Sequence, residues 1–366
     1  MNRSGRGADH PISDREIASL FACFPTSGCV VLAVSGGADS TALMVLAQRW
    51  SRSHTAVELV AATVDHGLRA QSRPEADAVA ALAARLGLRH EPLAWEGRKP
   101  TSGIEAAARR VRYRLLGDLA RRLDASHVAT AHTLDDQAET LLMRLAAGSG
   151  PAGLAGMRQA ETQSGFTLLR PFLTTPKARL VATLERDKIS WSEDPMNADL
   201  AFTRPRLRAA RAALEREGLT AERLGRLAER MARTEAVVAA AAKAARAAMR
   251  QPSAPGRLDG AALIGLPEEL ALRVLAAEIA QIGEREQRDV ASPIRLKRLE
   301  ALWRDLRAAI SIGRALRRTL GGALISVESD RSVTITRERT RKSVPKRSAN
   351  PLTTRQRSKV EFTERR

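Results

Sequence analysis

Cysteine is nearly absent: Cys23 and Cys29 are the pair in 366 residues. They form no CxxC motif, which leaves no zinc cage, disulfide framework or cysteine-held iron–sulfur cluster, and a reducing compartment fits. Aromatic residues make up 3% of the chain, too few for the stacking platforms on which some sheets bind single-stranded bases. No window approaches about 18 uninterrupted apolar residues, so no membrane span is expected. The opening "MNRSGRGADHPISDR" lacks the apolar core of a signal peptide. A soluble, cytoplasmic protein is expected. Lysine is scarce as well, contributing 8 of the 60 basic residues.

What is present is arginine, with a formal net charge of +19. Its planar fork suits bidentate contact with phosphates, so a polyanion such as RNA or DNA is the expected partner. A GC-rich genome would also exchange Lys for Arg without functional cause. The apolar share of 44% is enough for real cores, and the length suggests two folded units and a tail.

From about residue 28 to 130, short β-rich runs alternate with helical ones. "CVVLAV", "VELVAATVDH" and "ASHVATAHT" read as strands, and "STALMVLAQRW" and "PEADAVAALAARLG" as helices. "TSGIEAAARRVRYRLLGDLARRL" reads as a helix opened by a Ser102–Glu105 capping box. Such alternation predicts an α/β fold, a doubly wound parallel sheet with helices on both faces. The expected organisation is an N-terminal extension (1–27), a nucleotide-binding catalytic domain (28–215), a long helix (216–256) and a smaller α+β domain (257–340). Leu224, Leu227, Met231, Val238 and Ala242 are the expected stripe of the long helix, and "GGALISVESDRSVTITRE" an expected hairpin. Residues 341–366 carry nine Lys or Arg against two Glu and read as a basic disordered tail.

The chemistry begins at "VVLAVSGGADSTALMVL", where a strand meets Ser35-Gly36-Gly37-Ala38-Asp39-Ser40 and then a helix. Glycines there let backbone approach an anion, and the free amides of the helix point at it. Ser35 and Ser40 add hydroxyls. Asp39 would be repelled by a phosphate unless a cation, Mg²⁺, lay between them. A P-loop requires GxxxxGK[ST], whose lysine reaches the β- and γ-phosphates. This turn has no lysine, so γ-phosphoryl transfer is disfavoured. Grip on a leaving pyrophosphate, with ATP split between its α- and β-phosphates, is consistent.

"SGGADS" resembles the PP-loop of N-type ATP pyrophosphatases. Three further stretches narrow the likeness: "VDHGLRAQSRPEA", "AHTLDDQAETLLMRLAAGSG" and "EDPMNADLAFTRPRLR". Together they resemble the tRNA(Ile)-lysidine synthetase family, densely over residues 28–210 and faintly through "RRTLGGALI". The resemblance implies an enzyme that adenylates the C2 carbonyl of the wobble cytidine of a tRNA(Ile) with a CAU anticodon. The amine of L-lysine then displaces AMP to give lysidine. It implies ATP and Mg²⁺, and it admits a homodimer.

On that reading Ser35, Gly36, Gly37, Ala38, Asp39, Ser40, Asp65 and His66 contact the nucleotide, and Asp39 also holds the metal. Asp39, Arg112, Asp136 and Glu139 are the implied catalytic set. Asp135, Asp136 and Glu139 crowd three carboxylates over one helical turn, a candidate seat for the lysine ammonium or for Mg²⁺. With Arg204, Arg206 and Arg208 they form the implied substrate-binding set. Asp194, Asn197, Asp199 and Phe202 precede those arginines; Arg69, like His66, is expected to face either the nucleotide or the target cytidine, and the resemblance places Arg109 near the active site. The chain departs from the family at Thr133, where a second histidine is common, and at Pro205, where an asparagine is usual.

Structural readings stand beside these. Acidic residues in a first turn favour the helix dipole, and Arg109 has Glu105 four residues away as a surface partner. A tRNA-thiolating enzyme would need more cysteine than the chain has. An amidating ligase would leave the basic charge unexplained, and a non-catalytic RNA-binding module would have no use for Asp39.

Overall fold

The first strand is apolar from Cys29 to Ala33, and because successive side chains point to opposite faces it feeds two cores on one sheet. The computed structural model describes residues 10–67, 72–100, 102–163, 165–193, 202–250, 254–283 and 294–338. The chain divides into two compact units at residues 241 and 242.

In chain order the first unit contains α1 (Asp14–Leu20), β1 (Gly28–Ala33), α2 (Ala38–Ser51), β2 (Val57–Asp65), α3 (Ser72–Arg85), β3 (Arg89–Ala94), α4 (Ile104–Arg122), β4 (His127–Ala129), α5 (Leu134–Ala146), α6 (Pro151–Leu154), β5 (Ala160–Gln163), β6 (Phe166–Leu169), α7 (Lys177–Arg186), α8 (Thr203–Ala209), α9 (Arg211–Arg216) and most of α10 (Ala221–Met249). The sheet order is β3-β2-β1-β4-β6-β5. Five strands are parallel, and β5 closes one edge antiparallel to β6.

Val30 and Leu32 of β1 point into a core with Leu43 and Leu46 of α2, Val79 of α3 and Leu180 of α7. Cys29 and Val31 point to the other face, against Leu116 and Leu119 of α4. A period of two thus feeds both layers. This is the doubly wound α/β arrangement expected from the sequence. Its chain order reverses between β1 and β4, where open sheets of this kind form a crevice at the carboxyl ends of the strands.

Residues 10–27, set apart as an extension by the sequence pattern, pack into the first core. Ile12, Ile17, Phe21 and Phe24 are buried there, and Phe21 meets Phe24 edge-on at 4.8 Å between centroids. Burying each such side chain contributes about 1.5–3 kcal/mol. The Ile12 N–H donates to Thr183 Oγ1 at 2.8 Å, joining the segment to α7.

The second unit contains the end of α10, then β7 (Arg257–Leu258), α11 (Gly260–Gly265), α12 (Glu268–Gly283), α13 (Leu296–Ile312), β8 (Leu316–Leu320), β9 (Ala323–Val327) and β10 (Val333–Arg337). Its sheet is antiparallel in the order β7-β10-β9-β8. The expected hairpin is β9–β10, and Trp303, Leu306 and Ile325 lie in its core.

Two local expectations fail. α4 begins after Gly103, which is its N-cap at a left-handed φ of +65°, so the cap expected at Ser102 falls one residue later. The glycine reaches a backbone conformation that Ser102 would adopt only with strain. On α10, Leu227 is exposed, whereas Ala228 is buried, as are Leu224 and Ala242. Spacings of four and three residues carry the buried stripe through Ala228, which leaves Leu227 turned outward.

Candidate active site

Gly37 is the N-cap of α2, and Gly36 before it has φ +89°. That conformation favours glycine and turns the chain sharply from β1 into the helix. Ser40 Oγ donates to the Gly37 carbonyl at 3.0 Å and accepts from the Ser35 N–H at 3.1 Å. The Ser35 and Ser40 hydroxyls lie 3.2 Å apart, and Thr41 Oγ1 donates to the Gly36 carbonyl at 3.2 Å. Side chains of the first helical turn therefore shape the bend. Its leading amides have no carbonyl within the helix to bond and suit an anion.

Asp39, in the first turn of α2, accepts from Lys177 Nζ through Oδ2 at 2.9 Å. Its Oδ1 is buried and has no hydrogen-bond partner among the described residues. Burial raises the carboxyl above its usual range, Lys177 opposes that rise, and Asp136 and Asp135 add to it.

The three acidic residues of α5 have separate surroundings. Thr133 is the N-cap, and Asp136 completes a capping box, its Oδ2 accepting from the Thr133 N–H at 2.9 Å and from Thr133 Oγ1 at 3.0 Å. Threonine at this position is thus a working cap. Asp136 Oδ1 faces Arg204 and Arg208 at 3.9 and 3.8 Å. Asp135 Oδ2 accepts from the Lys177 backbone N–H at 2.7 Å, and its Oδ1 pairs with Arg211. Glu139 is buried, and Arg208 donates to it from Nε at 2.6 Å and from Nη2 at 3.3 Å. Burial raises the Glu139 carboxyl while Arg208 pulls it back.

These groups border one cavity of about 270 Å³. Its lining carries five carboxylates (Asp39, Asp135, Asp136, Glu139 and Glu215), three cations (Lys177, Arg208 and Arg211) and five leucines (Leu142, Leu207, Leu214, Leu219 and Leu224). The shape suits a molecule with a cationic head and an aliphatic stem. Arg204 and Arg208 lie four residues apart on α8 and share its inner face. Arg206, exposed like Arg208, donates from Nη2 to Thr203 Oγ1 at 3.2 Å and is not among the residues lining the cavity. Pro205 is buried at the third position of α8, where a backbone N–H has no partner within the helix. Proline there costs the helix no hydrogen bond.

A second group of polar residues stands where β2 ends. Asp65 Oδ1 accepts from the Gly67 N–H at 2.7 Å. His66 Nε2 lies 3.5 Å from Arg112 Nη2, and the imidazole meets Trp95 edge-on. Burial, reinforced by the Arg112 charge, pushes the His66 pKa down to about 4. Lys99 Nζ donates to the Gly67 carbonyl at 2.9 Å. Arg109 stacks over Tyr113 at 5.0 Å. Asp65, His66 and Arg112 are thus together, and none of them lines the acidic cavity. Arg69, Asp194, Asn197, Asp199 and the basic tail lie outside the described residues, as does the side chain of Glu105.

Among the described residues no group of three or more His, Cys, Asp or Glu is set to hold a metal. Mg²⁺ is commonly held by one or two carboxylates and substrate phosphates, and the unpartnered Oδ1 of Asp39 fits that donor set. Three groups here had no assigned part from sequence. Lys177 lies 138 residues from Asp39, and Arg211 76 residues from Asp135, so no local spacing announces either. His132, beside the α5 cap, accepts or donates at Nδ1 to Thr130 Oγ1 at 2.9 Å, and burial pushes it down to about 4. It belongs to a stretch that the sequence already marked.

A parallel sheet that ends its first strand in a glycine bend facing a carboxylate defines a PP-loop nucleotide-binding domain. The family model described as a PP-loop domain matches residues 10–212. A likeness of fold extends to the U34-tRNA thiolase of Methanococcus maripaludis, solved with its [4Fe-4S] cluster, at a TM-score of 0.53 and 17% identity over 60% of this chain and 78% of that one. The tRNA(Ile)-lysidine synthase of Methylobacterium sp. (strain 4-46) is 49% identical over 335 residues, covering 90% of this chain and 95% of its own. That of Methylobacterium nodulans is 53% identical over 82% of this chain and 87% of its own. That of Bradyrhizobium diazoefficiens is 47% identical over 88% and 93%. The chain belongs to the tRNA(Ile)-lysidine synthase family.

Proposed function

We propose that this chain is an ATP-dependent ligase that joins the amine of L-lysine to C2 of the wobble cytidine in tRNA(Ile) with a CAU anticodon. Membership in the family supports the reaction, and one observation supports its placement: a lysine-free glycine bend beside a cavity whose lining has more carboxylates than cations, and five leucines besides.

In the first half-reaction the cytidine O2 attacks the α-phosphorus of ATP, and pyrophosphate leaves. The bend from Ser35 to Ser40 receives the phosphates through its amides, and Asp39 would hold Mg²⁺, which supplies charge neutralisation at the phosphates when bound. Arg112 offsets charge developing on the transferred phosphate, and Asp65 and His66 border the nucleotide. In the second half-reaction the lysine amine attacks C2, the C2–O2 bond breaks, and AMP departs with that oxygen. Asp136 and Glu139 face the lysine, and the leucines hold its stem. Asp135 acts more indirectly, because both its oxygens already bind Lys177 and Arg211. Arg204 and Arg208 set the charge of the carboxylates, and Arg206 turns outward toward tRNA phosphate. The amine must lose a proton before it attacks.

Residues 28–215 serve as the catalytic domain, and 216–256 and 257–340 position tRNA, work suited to the cytoplasm. A sulfur-transfer alternative fits poorly, because burial pushes the Cys23 thiol up to about 11 and raises that of Cys29.

The test combines purified protein, ATP, Mg²⁺, radiolabelled lysine and unmodified tRNA(Ile) bearing CAU. Label should enter the tRNA, require the anticodon cytidine, and appear with AMP and pyrophosphate. Release of ADP and orthophosphate would overturn the reading.

A further inference from the structure

The glycine bend offers amides and hydroxyls to phosphates but no cation. A triphosphate bound there carries more charge than a single Mg²⁺ neutralises. A lysine does stand at this spot, delivered by another element. Lys177 is the first residue of α7, and its ammonium lies 2.9 Å from Asp39 Oδ2. Since Asp39 belongs to the first turn of α2, that ammonium sits at the mouth of the helix N-terminus that the bend presents.

Its mounting also differs from that of the neighbouring cations. Arg208 is held by both oxygens of Glu139, and Arg211 bridges Asp135 and Glu215. Lys177 is pinned at its backbone, where its N–H donates to Asp135 Oδ2 at 2.7 Å. Its side chain is 48% exposed and pairs with one oxygen of Asp39. A fixed base with a four-carbon stem lets the ammonium turn without moving α7. The pair is a single contact and is half-exposed at its lysine end, so a phosphate arriving from solvent can compete for the ammonium.

We propose that Lys177 is the phosphate-gripping lysine of this site. It is carried on α7 instead of in the glycine bend, and it passes from Asp39 to the β- and γ-phosphates of ATP and then to the departing pyrophosphate. The exchange leaves both Asp39 oxygens open to the metal as the nucleotide arrives. Asp135 acts as a positioning residue for Lys177 through its main chain. The inference rests on the bend's being the ATP site, and it adds which side chain reads the phosphates beyond the first.

Calorimetric titration without tRNA or lysine separates a phosphate grip from a mere counter-ion. AMP, pyrophosphate and α,β-methylene ATP, each with Mg²⁺, are titrated into wild type, Lys177→Ala, Lys177→Arg, Asp39→Asn and the double variant Asp39→Asn/Lys177→Ala. Lys177→Ala should weaken pyrophosphate and the ATP analogue by about tenfold to a hundredfold, the usual effect of losing a charge-assisted contact. AMP should be unaffected, and Lys177→Arg should restore most of the loss. The loss should persist on the Asp39→Asn background, where no charge on residue 39 needs a partner. Equal weakening of all three ligands, no weakening, or a loss that vanishes in the double variant would overturn the proposal while leaving lysine transfer to its own assay. Wild-type protein that binds neither ATP analogue nor pyrophosphate would overturn the ATP site itself. Arginine keeps the charge at a half-exposed position, so that variant tests the idea even if alanine disturbs the fold.

Discussion

Asp39 and Glu139 are both carboxylates raised by burial, yet they differ in what answers their charge. Glu139 has a two-pronged arginine, whereas Asp39 has one lysine and one buried oxygen with no partner among the described residues. An unpartnered polar atom is costly in a finished core and sensible where a ligand completes it. Replacing Asp39 with alanine should cut cytidine adenylation by about a hundredfold or more, the scale on which charge stabilisation acts in such steps. Affinity for tRNA should stay nearly intact, as measured by filter binding beside single-turnover AMP formation. An equal loss of both would make Asp39 structural. Asp39, Asp136 and Glu139 were singled out in the sequence by the motifs they belong to, since acidic residues at a helix start are ordinary in themselves. Lys177 was not, since a lone lysine at a helix opening is ordinary until folding brings it to Asp39.

Helix starts show the same division. Ser13 and Glu16 make a capping box on α1, with the Ser13 N–H donating to Glu16 Oε2 at 2.9 Å, and Arg179 of α7 reaches the same carboxylate at 2.8 Å. Those bonds, led by the Ser13 hydroxyl, hold the Glu16 carboxyl down at about 2, against a usual 4.5. A depressed carboxylate contributes stability that is complete above the unfolded value and is lost as pH falls through the folded one. The melting-temperature gap between wild type and Glu16→Gln should therefore be full at pH 6, shrink below 4.5, and close near 2. A gap independent of pH would show that Glu16 acts through its shape alone. On α4 the cap falls on Gly103 instead of Ser102, because the glycine supplies a left-handed entry to the helix. Local sequence offers several caps, and the geometry of the arriving chain chooses among them. Residues 10–27 likewise look detachable by composition, but their aromatic residues fill the space beside Trp50.

The molecule as a whole carries a formal charge of +19 with few aromatic residues, so tRNA should be held chiefly by phosphate contacts and shape. With six or more phosphates engaged, affinity for tRNA(Ile) should fall about a thousandfold between 50 and 200 mM salt. A plot of log affinity against log salt checks this, and a flat line would mean that the arginines serve solubility. Each unit has its own apolar core. No helix among the described residues is long and apolar enough to cross a membrane. Sequence alone was enough for the α/β class, the glycine bend, the acidic turn of α5 and the family. Each of these is written in the order of residues along the chain, as alternating apolar periods or as short motifs whose chemistry is local. Folding settled which of the marked groups share a cavity. It brought Arg204 and Arg208 to Glu139, turned Arg206 and Leu227 outward, and carried Lys177 to Asp39 across 138 residues. Such meetings depend on how strands order in the sheet and how helices turn upon it, and no stretch of chain encodes that by its neighbours in sequence.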